Sequence, residues 1–538
     1  MFLFSPFNYR IWCKSIRDMK LSLKNTITFS LLLTSGFTAT ANSEKEEKTR
    51  PNVVLIMADD IGYSDIGCYG SEIKTPNLDR LASKGVRFRQ FYNMAKCNPS
   101  RSSLFTGLFK GDHRSQSMGQ LMKEAGYTTI MCGKQHFDSW VPERCQAANS
   151  FDYSFWYHLS NEYFVPPSGT FKHSFNLGKK KLEVSEIEAS QKPLYKTDFV
   201  TDYALKFLNE ATTKNDPFFL YLPYHSAHFP LQARPEDIAK YRYKYLKGWD
   251  KIRKNRYKKL VKLGLIDKDC KLSPSEGNIN KFRGAPKSDY EIRKKIPLYR
   301  PWDSLTDKEK DELDLEMAVF AAMIDRLDQN IGRVLKRLEE LGELENTVVF
   351  FLSDNGSCPY DSNRDFSIPP GGADSWRTLC AAWANLGNTP FRYYKQFGHE
   401  GGSNTPFIAY WPDKIPENKI VDGPGHIVDL LPTLLEIGEG EYPEVTENGE
   451  KTPKLDGQSL MPLLSGEQFM RDRLLTSGIK NFRMYRKGNW KLVQKNNETW
   501  ELYNLKDDPT ELNDLVNQKP EIVKEILNCV SKREIPLE

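Results

Sequence analysis

Beyond residue 41 the sequence has no apolar run long enough to cross a bilayer, no cysteine pair at zinc-type CxxC spacing and no internal repeat. These gaps argue against a membrane-spanning helix, a zinc finger and a repeat architecture. Net charge is also nearly missing. The first 41 residues hold five Lys or Arg and one acid, so 76 bases and 71 acids become 71 and 70 without them. Bulk charge therefore gives no argument for nucleic acid or membrane partners. Eight cysteines follow residue 41, and setting Cys97 aside leaves seven. An odd number cannot all pair within one chain, so no disulfide framework is expected.

What is present starts with an export signal. Lys20 and Lys24 precede the apolar run ITFSLLLTSGF, and ATA ends at Ala41 as a small-residue cleavage site, with Met19 an alternative start. No cysteine sits at that site to carry a lipid, so an exported protein, periplasmic or secreted, is expected. At 538 residues the chain exceeds what one hydrophobic core supports. A large domain over 50–425 and a smaller one over 426–538 are expected.

Four apolar runs read as buried strands, each ending in polar residues: PNVVLIMADD, GYTTIMCGKQH, PFFLYLPYHSAH and NTVVFFLSDNG. Amphipathic stretches separate them. The clearest spans Asp314 to Leu341, with Leu315, Val319, Met323, Leu327, Ile331 and Leu335 at four-residue spacing before Gly342. The pattern predicts an α/β fold with a large, mixed, mostly parallel sheet sandwiched by helices. GHIVDLLPTLLEIG predicts a helix closing the first domain. After it, alternation from Arg473 to Leu515 predicts an antiparallel sheet, with a last helix over Glu521 to Lys532. Within an insertion at about 236–304, residues 240–262 carry eleven bases interleaved with aromatics. That stretch is either a polyanion-binding surface or a solvated helix with its aromatics packed inward.

In open α/β sheets ligands bind beyond the carboxyl ends of the strands, so the four polar clusters share one edge. Asp59, Asp60, Asp354 and Asn355 offer only oxygen donors, which suit a hard cation such as Ca²⁺ better than zinc. Around them stand Arg101, Lys134, His136, His228 and Lys395. A metal among such cations describes a pocket for a tetrahedral anion ester, sulfate or phosphate. His225 competes with His228 as a proton donor. Then there is KCNPSRSSLFTG, Lys96 to Gly107. Pro99 suits a first helical turn, which places Cys97 just outside a helix N-terminus, where anions are welcome.

From PNVVLIMADDIGYSD to the final helix the chain resembles the type I sulfatases of the alkaline phosphatase superfamily, in their arylsulfatase-like branch. CNPSRSSLFTG matches that family's C-x-P-S-R-x-x-L-x-T-G at every fixed position. The resemblance implies an alkaline phosphatase-like fold and oxidation of Cys97 to formylglycine by a maturation enzyme. It also implies one Ca²⁺ held by Asp59, Asp60, Asp354, Asn355 and the modified residue 97. Arg101 would hold that side chain, Lys134 and Lys395 would neutralise sulfate oxygens, His228 would protonate the leaving oxygen and His136 would deprotonate the second hydroxyl. The chain departs from the usual G-K-W-H at Gln135, so the packing there is expected to differ.

These readings imply a sulfuric ester hydrolase acting on a sulfated carbohydrate. A phosphodiesterase or phosphonate monoester hydrolase with the same nucleophile is the neighbouring alternative. A non-catalytic glycan-binding relative, in which Cys97 stays a thiol, is the alternative from another class. Trp156, Trp376 and Trp383 are either sugar platforms or core, and His399 and Glu400 either line the substrate rim or form a structural turn.

Overall fold

The computed structural model describes residues 50–137, 145–158, 162–165, 175–275, 301–360, 362–467, 473–479, 482–495 and 498–532. The expected export signal and residues 276–300 of the basic insertion lie outside them.

Sixteen strands are described: β1 Asn52–Ala58, β2 Val86–Phe88, β3 Phe91–Tyr92, β4 Thr128–Lys134, β5 Tyr153–Tyr157, β6 Phe175–Leu177, β7 Lys180–Leu182, β8 Phe218–Pro223, β9 Thr347–Ser353, β10 Phe407–Tyr410, β11 Lys419–Val421, β12 Gly425–His426, β13 Leu474–Ile479, β14 Phe482–Lys487, β15 Trp490–Lys495 and β16 Glu501–Asn504. Ten form one sheet in the order β11-β2-β10-β9-β1-β8-β4-β5-β6-β7. Its centre, β9 to β5, is entirely parallel, while β10, β6 and β7 pair antiparallel at the flanks. The mixed, mostly parallel sheet expected from the sequence is present.

The apolar runs are continuous because both faces are covered. On β1, Val54, Ile56 and Ala58 join one core cluster and Val53, Leu55 and Met57 join the other. The first core packs under the helices Lys196–Ala211 and Asp307–Glu340, the second under Cys97–Thr106 and Leu430–Gly438. The helix Asp307–Glu340 starts earlier than the expected Asp314. Thr306 and Glu309 close a capping box that fixes its N-terminus ahead of the apolar stripe.

The four-stranded antiparallel sheet β13-β14-β15-β16 follows, and the helix Pro520–Lys532 packs Ile526 and Val530 against Leu474, Leu492 and Leu502. Its other face meets the rest of the chain through Met484, Val493 and Tyr503, which cluster with Tyr92 and Val428. In the basic insertion, the helix Trp249–Lys262 buries Trp249 and Ile252. Its Arg256 pairs with Asp65 at 2.7 Å and Glu72 at 2.8 Å. Trp249 packs on Trp302 and Trp383, so the aromatics of this helix face inward.

Candidate active site

The parallel register of β9, β1, β8 and β4 brings their carboxyl ends level, and the expected residues emerge there. Asp59 and Asp60 follow β1, Asp354 and Asn355 follow β9, Lys134 ends β4, and His225 and His228 follow β8. Backbone bonds lock the loops together: Asp59 N donates to Ser226 O at 2.9 Å, Ala227 N to Asp59 O at 2.7 Å and Asp354 N to Ala58 O at 3.2 Å.

Cys97 is the first residue of the helix Cys97–Thr106, with Lys96 before it in an extended conformation. This puts the helix start slightly ahead of the expected position, and the thiol is buried at 4 % exposure. Burial raises the thiol pKa, against the pull of Lys395 and Lys134. The rest of the motif is structural. Ser100 Oγ donates to Asp354 O at 2.6 Å and accepts from Met94 N at 3.0 Å. Gly107 ends the helix at φ +68°, where an added Cβ would meet Leu455 at 2.9 Å.

Three carboxylates and three cations meet, all essentially buried: Asp59, Asp60 and Asp354 with Arg101, Lys134 and Lys395. Arg101 holds Asp354 Oδ2 through Nε at 3.0 Å and through its terminal nitrogen at 2.8 Å, and reaches Asp59 Oδ2 at 3.5 Å. Lys134 Nζ donates to Asp59 Oδ2. Lys395 Nζ donates to Asp60 Oδ1 at 2.6 Å, and Asn355 Nδ2 to the same oxygen at 2.7 Å. Among the described residues, these bonds leave Asp59 Oδ1, Asp60 Oδ2 and Asn355 Oδ1 buried without any donor. Burial opposes ionisation of Asp59, but Lys134, His228 and Arg101 outweigh it and hold that carboxyl well below the usual range. Burial and then the Asp59 charge push Asp354 upward against Arg101.

Ligand atoms of Asp59, Cys97 and Asp354 lie within 4.8 Å of one another, and so do those of Asp59, Asp60 and His228. Orphaned buried oxygens cost free energy unless something positive meets them. An oxygen-only set of carboxylates and one amide carbonyl fits a hard divalent cation.

Two histidines face these acids. His228 Nδ1 meets Phe229 O at 2.7 Å, and since a carbonyl only accepts, Nδ1 carries a proton and Nε2 points at Asp60 Oδ2, 3.7 Å away. Burial lowers its pKa to about 4, against the opposing pull of Asp60 and Asp59. His225 is more deeply buried, 3.7 Å from Asp59 Oδ2, with neither ring nitrogen hydrogen-bonded. His136 stands beyond Lys134 at φ +63°, its carbonyl accepting from Asn98 Nδ2 at 2.8 Å. Burial, then Lys134 and Arg101, depress its pKa strongly. At the departure site, Gln135 is buried and its Oε1 meets His158 Nδ1 at 2.6 Å.

The structure also adds residues that carry no motif. Tyr360 turns its ring to Lys395 Nζ, 5.3 Å from the centroid, and its hydroxyl donates to Gln396 Oε1 at 2.6 Å. Lys196 is buried, 5.0 Å from the Tyr157 ring and 5.3 Å from that of Tyr163. Burial drives its pKa well down. Two rim candidates are elsewhere. His399 pairs with Glu501 and Glu400 with Lys491, both on the antiparallel sheet, so HEGG is a structural turn that docks that sheet. Trp156 and Trp383 are core, and Trp376 alone of the three reaches the surface.

A profile of the Sulfatase family matches residues 51–440, a span that holds every residue of this pocket. This chain belongs to the sulfatase family. A second profile, N-sulphoglucosamine sulphohydrolase, C-terminal, matches residues 391–534. An uncharacterized sulfatase of Schizosaccharomyces pombe is 31% identical, with 90% of this chain and 94% of the relative covered. The N-acetylglucosamine-6-O-sulfatase of Bacteroides thetaiotaomicron is 25% identical over 88% of this chain and 84% of its own. Among solved structures, Ps i-CgsB in complex with k-i-k-neocarrahexaose shares the fold at a TM-score of 0.62 and 22% identity, covering 90% of this chain and 92% of that one. The protein is thus a sulfuric ester hydrolase with an alkaline phosphatase-like fold. No helix among the described residues is long and apolar enough to cross a membrane.

Proposed function

We propose that this sulfatase is exported and releases inorganic sulfate from a sulfated carbohydrate, using Ca²⁺ and a formylglycine made from Cys97 by a maturation enzyme. The observation that carries the reading is the set of donorless oxygens on Asp59, Asp60 and Asn355 beside the Cys97 thiol. Asp59, Asp60, Asp354 and Asn355 would hold the ion with residue 97, and the ion would supply two positive charges to a pocket whose own acids and bases balance. That surplus suits an ester that arrives as an anion. Formylglycine, as its hydrate, would supply one hydroxyl as the nucleophile and a second for the release of sulfate without water attack.

The chain's own groups have distinct tasks in this reading. Lys134 and Lys395 stand on opposite carboxylates and offer their remaining N–H groups to sulfate oxygens. Arg101 fixes Asp354 and lies beside residue 97, so the nucleophile and the acid set move as one unit. His228, with its Nδ1 proton held by a carbonyl, presents Nε2 to the leaving oxygen and protonates it from the imidazolium form, which the neighbouring Asp60 and Asp59 favour. His136 takes the proton of the second hydroxyl. Its depressed basicity keeps it neutral and able to accept.

The carbohydrate part of the reading is supported by the relative named for N-acetylglucosamine-6-O-sulfate and by the second profile. Turnover of sulfated mono- and disaccharides, aryl sulfates and phosphonate esters should be compared using protein from a maturation-competent host. Peptide mass spectrometry of residue 97 on the same sample completes the test. Sulfate release by chains carrying the aldehyde is expected. A thiol at 97 in active protein, or a phosphonate preference, contradicts the reading.

A further inference from the structure

One surface feature, on the loop between Tyr360 and Arg377, has no assigned role. Arg364 stacks its guanidinium over the indole of Trp376, 3.2 Å from the centroid, and Arg364 N donates to Trp376 O at 3.1 Å. Arg364 is exposed and Trp376 half-exposed. Among the described residues the guanidinium gives none of its N–H groups to a carboxylate. The acid next to it, Asp365, spends Oδ1 on the backbone and hydroxyl of Ser367, at 2.8 and 2.7 Å.

The loop that carries the stack is connected on two sides, through the chain, to segments that reach the pocket. Arg364 follows Tyr360, whose ring faces Lys395. Trp376 precedes Arg377, whose carbonyl accepts from Leu231 N at 2.8 Å, three residues beyond His228. Gln232 Nε2 donates to Ser375 O at 2.9 Å, and Gly371 N to Leu231 O at 2.9 Å. The two strands of this loop are stapled by Asn363, which accepts from Thr378 N at 2.9 Å and donates to Thr378 Oγ1 at 3.0 Å. Arg377 anchors it from below, buried and paired with Glu312 at 2.8 Å. The loop is therefore held rather than free, and it carries one uncommitted planar cation against one aromatic face beside the loop of the proposed leaving-group acid.

We infer that Arg364 and Trp376 form a leaving-group subsite that takes a sugar ring against the indole and a second anionic substituent, sulfate or carboxylate, on the guanidinium. Stacking holds the fork of N–H donors in one plane, which suits bidentate contact with such an oxyanion and lowers the ordering needed on binding. This rests on the carbohydrate reading above and narrows it to sugars bearing two acidic groups.

The test uses matured, Ca²⁺-loaded enzyme and pairs of hexose and hexosamine sulfates that differ only in a second sulfate. The expected wild-type preference is for the doubly sulfated member. In Arg364→Ala the ratio of kcat/KM, doubly over singly sulfated, should fall about tenfold, mainly through KM. Arg364→Lys should recover only part of the ratio because an ammonium lacks the fork. Trp376→Ala should weaken both members. A ratio that stays within about twofold in Arg364→Ala, in an enzyme that hydrolyses these sugars, overturns the subsite alone. A wild type that hydrolyses 4-nitrophenyl sulfate but none of the sugars overturns the carbohydrate reading and the subsite with it.

Discussion

Among the buried clusters of acids and bases in the described residues, those around Asp198 and around Asp59 and Asp60 differ in what their oxygens have left over. Around Asp198, Oδ1 accepts from Arg326 Nε at 2.7 Å and Asn330 Nδ2 at 2.8 Å, and Oδ2 from Arg234 Nε at 2.9 Å and a terminal nitrogen of Arg326 at 2.8 Å. Around Asp59 and Asp60 each carboxylate satisfies one oxygen and leaves the other without a donor. Asp198 has both oxygens satisfied within the chain and ties the helices Lys196–Ala211 and Asp307–Glu340 together. The second cluster is complete only with something positive added. Asp198, with its acceptor capacity used up, is scaffold, whereas three donorless oxygens converging beside residue 97 mark a site.

The comparison breaks most directly at the nucleophile. Cys97→Ala should reduce sulfate release by about a thousandfold or more, since a covalent nucleophile has no substitute in the pocket. Its melting temperature without Ca²⁺ should stay close to wild type, as only one small side chain is lost. Residual turnover near the wild-type rate would remove residue 97 from the chemistry. Asp198→Ala should do the reverse. Removing the shared partner of Arg234 and Arg326 leaves two buried cations, with an expected loss of about 3–5 kcal/mol in denaturant unfolding. Its kcat per folded molecule should be unchanged.

Much of this contrast was legible in the sequence. The central strands are apolar throughout because helices cover both faces, and each run stops where the chain turns polar at one edge, as at Asp59–Asp60 and Asp354–Asn355. CNPSRSSLFTG was legible because its serine, arginine and glycine each do a local job. The flanking strands β5 to β7 and β10 to β11 were not, being short and partly exposed, with too few residues to set a period. Lys196 and Tyr360 were invisible because nothing in KPLYKTDF or SCPYDSN marks which side chain the fold will press against the pocket. HEGG misled in one of its two readings. A histidine and a glutamate near Lys395 look like substrate contacts, but the antiparallel sheet supplies Glu501 and Lys491 as their partners. The helix from Asp307 was underestimated because its apolar stripe begins well after the T-D-K-E box that caps it.

The remaining predictions are smaller. Calcium at one hundred times its dissociation constant should stabilise the wild type by about 2.7 kcal/mol, seen as a higher melting temperature that a chelator reverses. Asp198→Ala should keep this increment although its baseline is lower, and loss of the increment there would couple two clusters described here as independent. The last concerns His426, where the chain leads toward the antiparallel sheet. Its Nδ1 accepts from Val428 N at 3.2 Å and its Nε2 donates to Thr476 O at 3.0 Å, an arrangement open only to the neutral ring. Burial, against the pull of Asp429, lowers its pKa to about 3. The unfolded chain therefore takes up the proton first. The ring's contribution is intact above about pH 6.5 and shrinks as pH falls toward 3, by about 1.4 kcal/mol per unit. His426→Gln should flatten the pH dependence of unfolding between pH 6.5 and 4, and an unchanged slope would place the acid sensitivity elsewhere.

The most direct measurement is a calorimetric titration of Ca²⁺ into metal-free protein, alongside Asp354→Asn and Asp198→Asn. The account predicts one ion per chain in the wild type and in Asp198→Asn, and binding abolished or weakened by orders of magnitude in Asp354→Asn. No heat in the wild type, or equal binding in all three proteins, would contradict it.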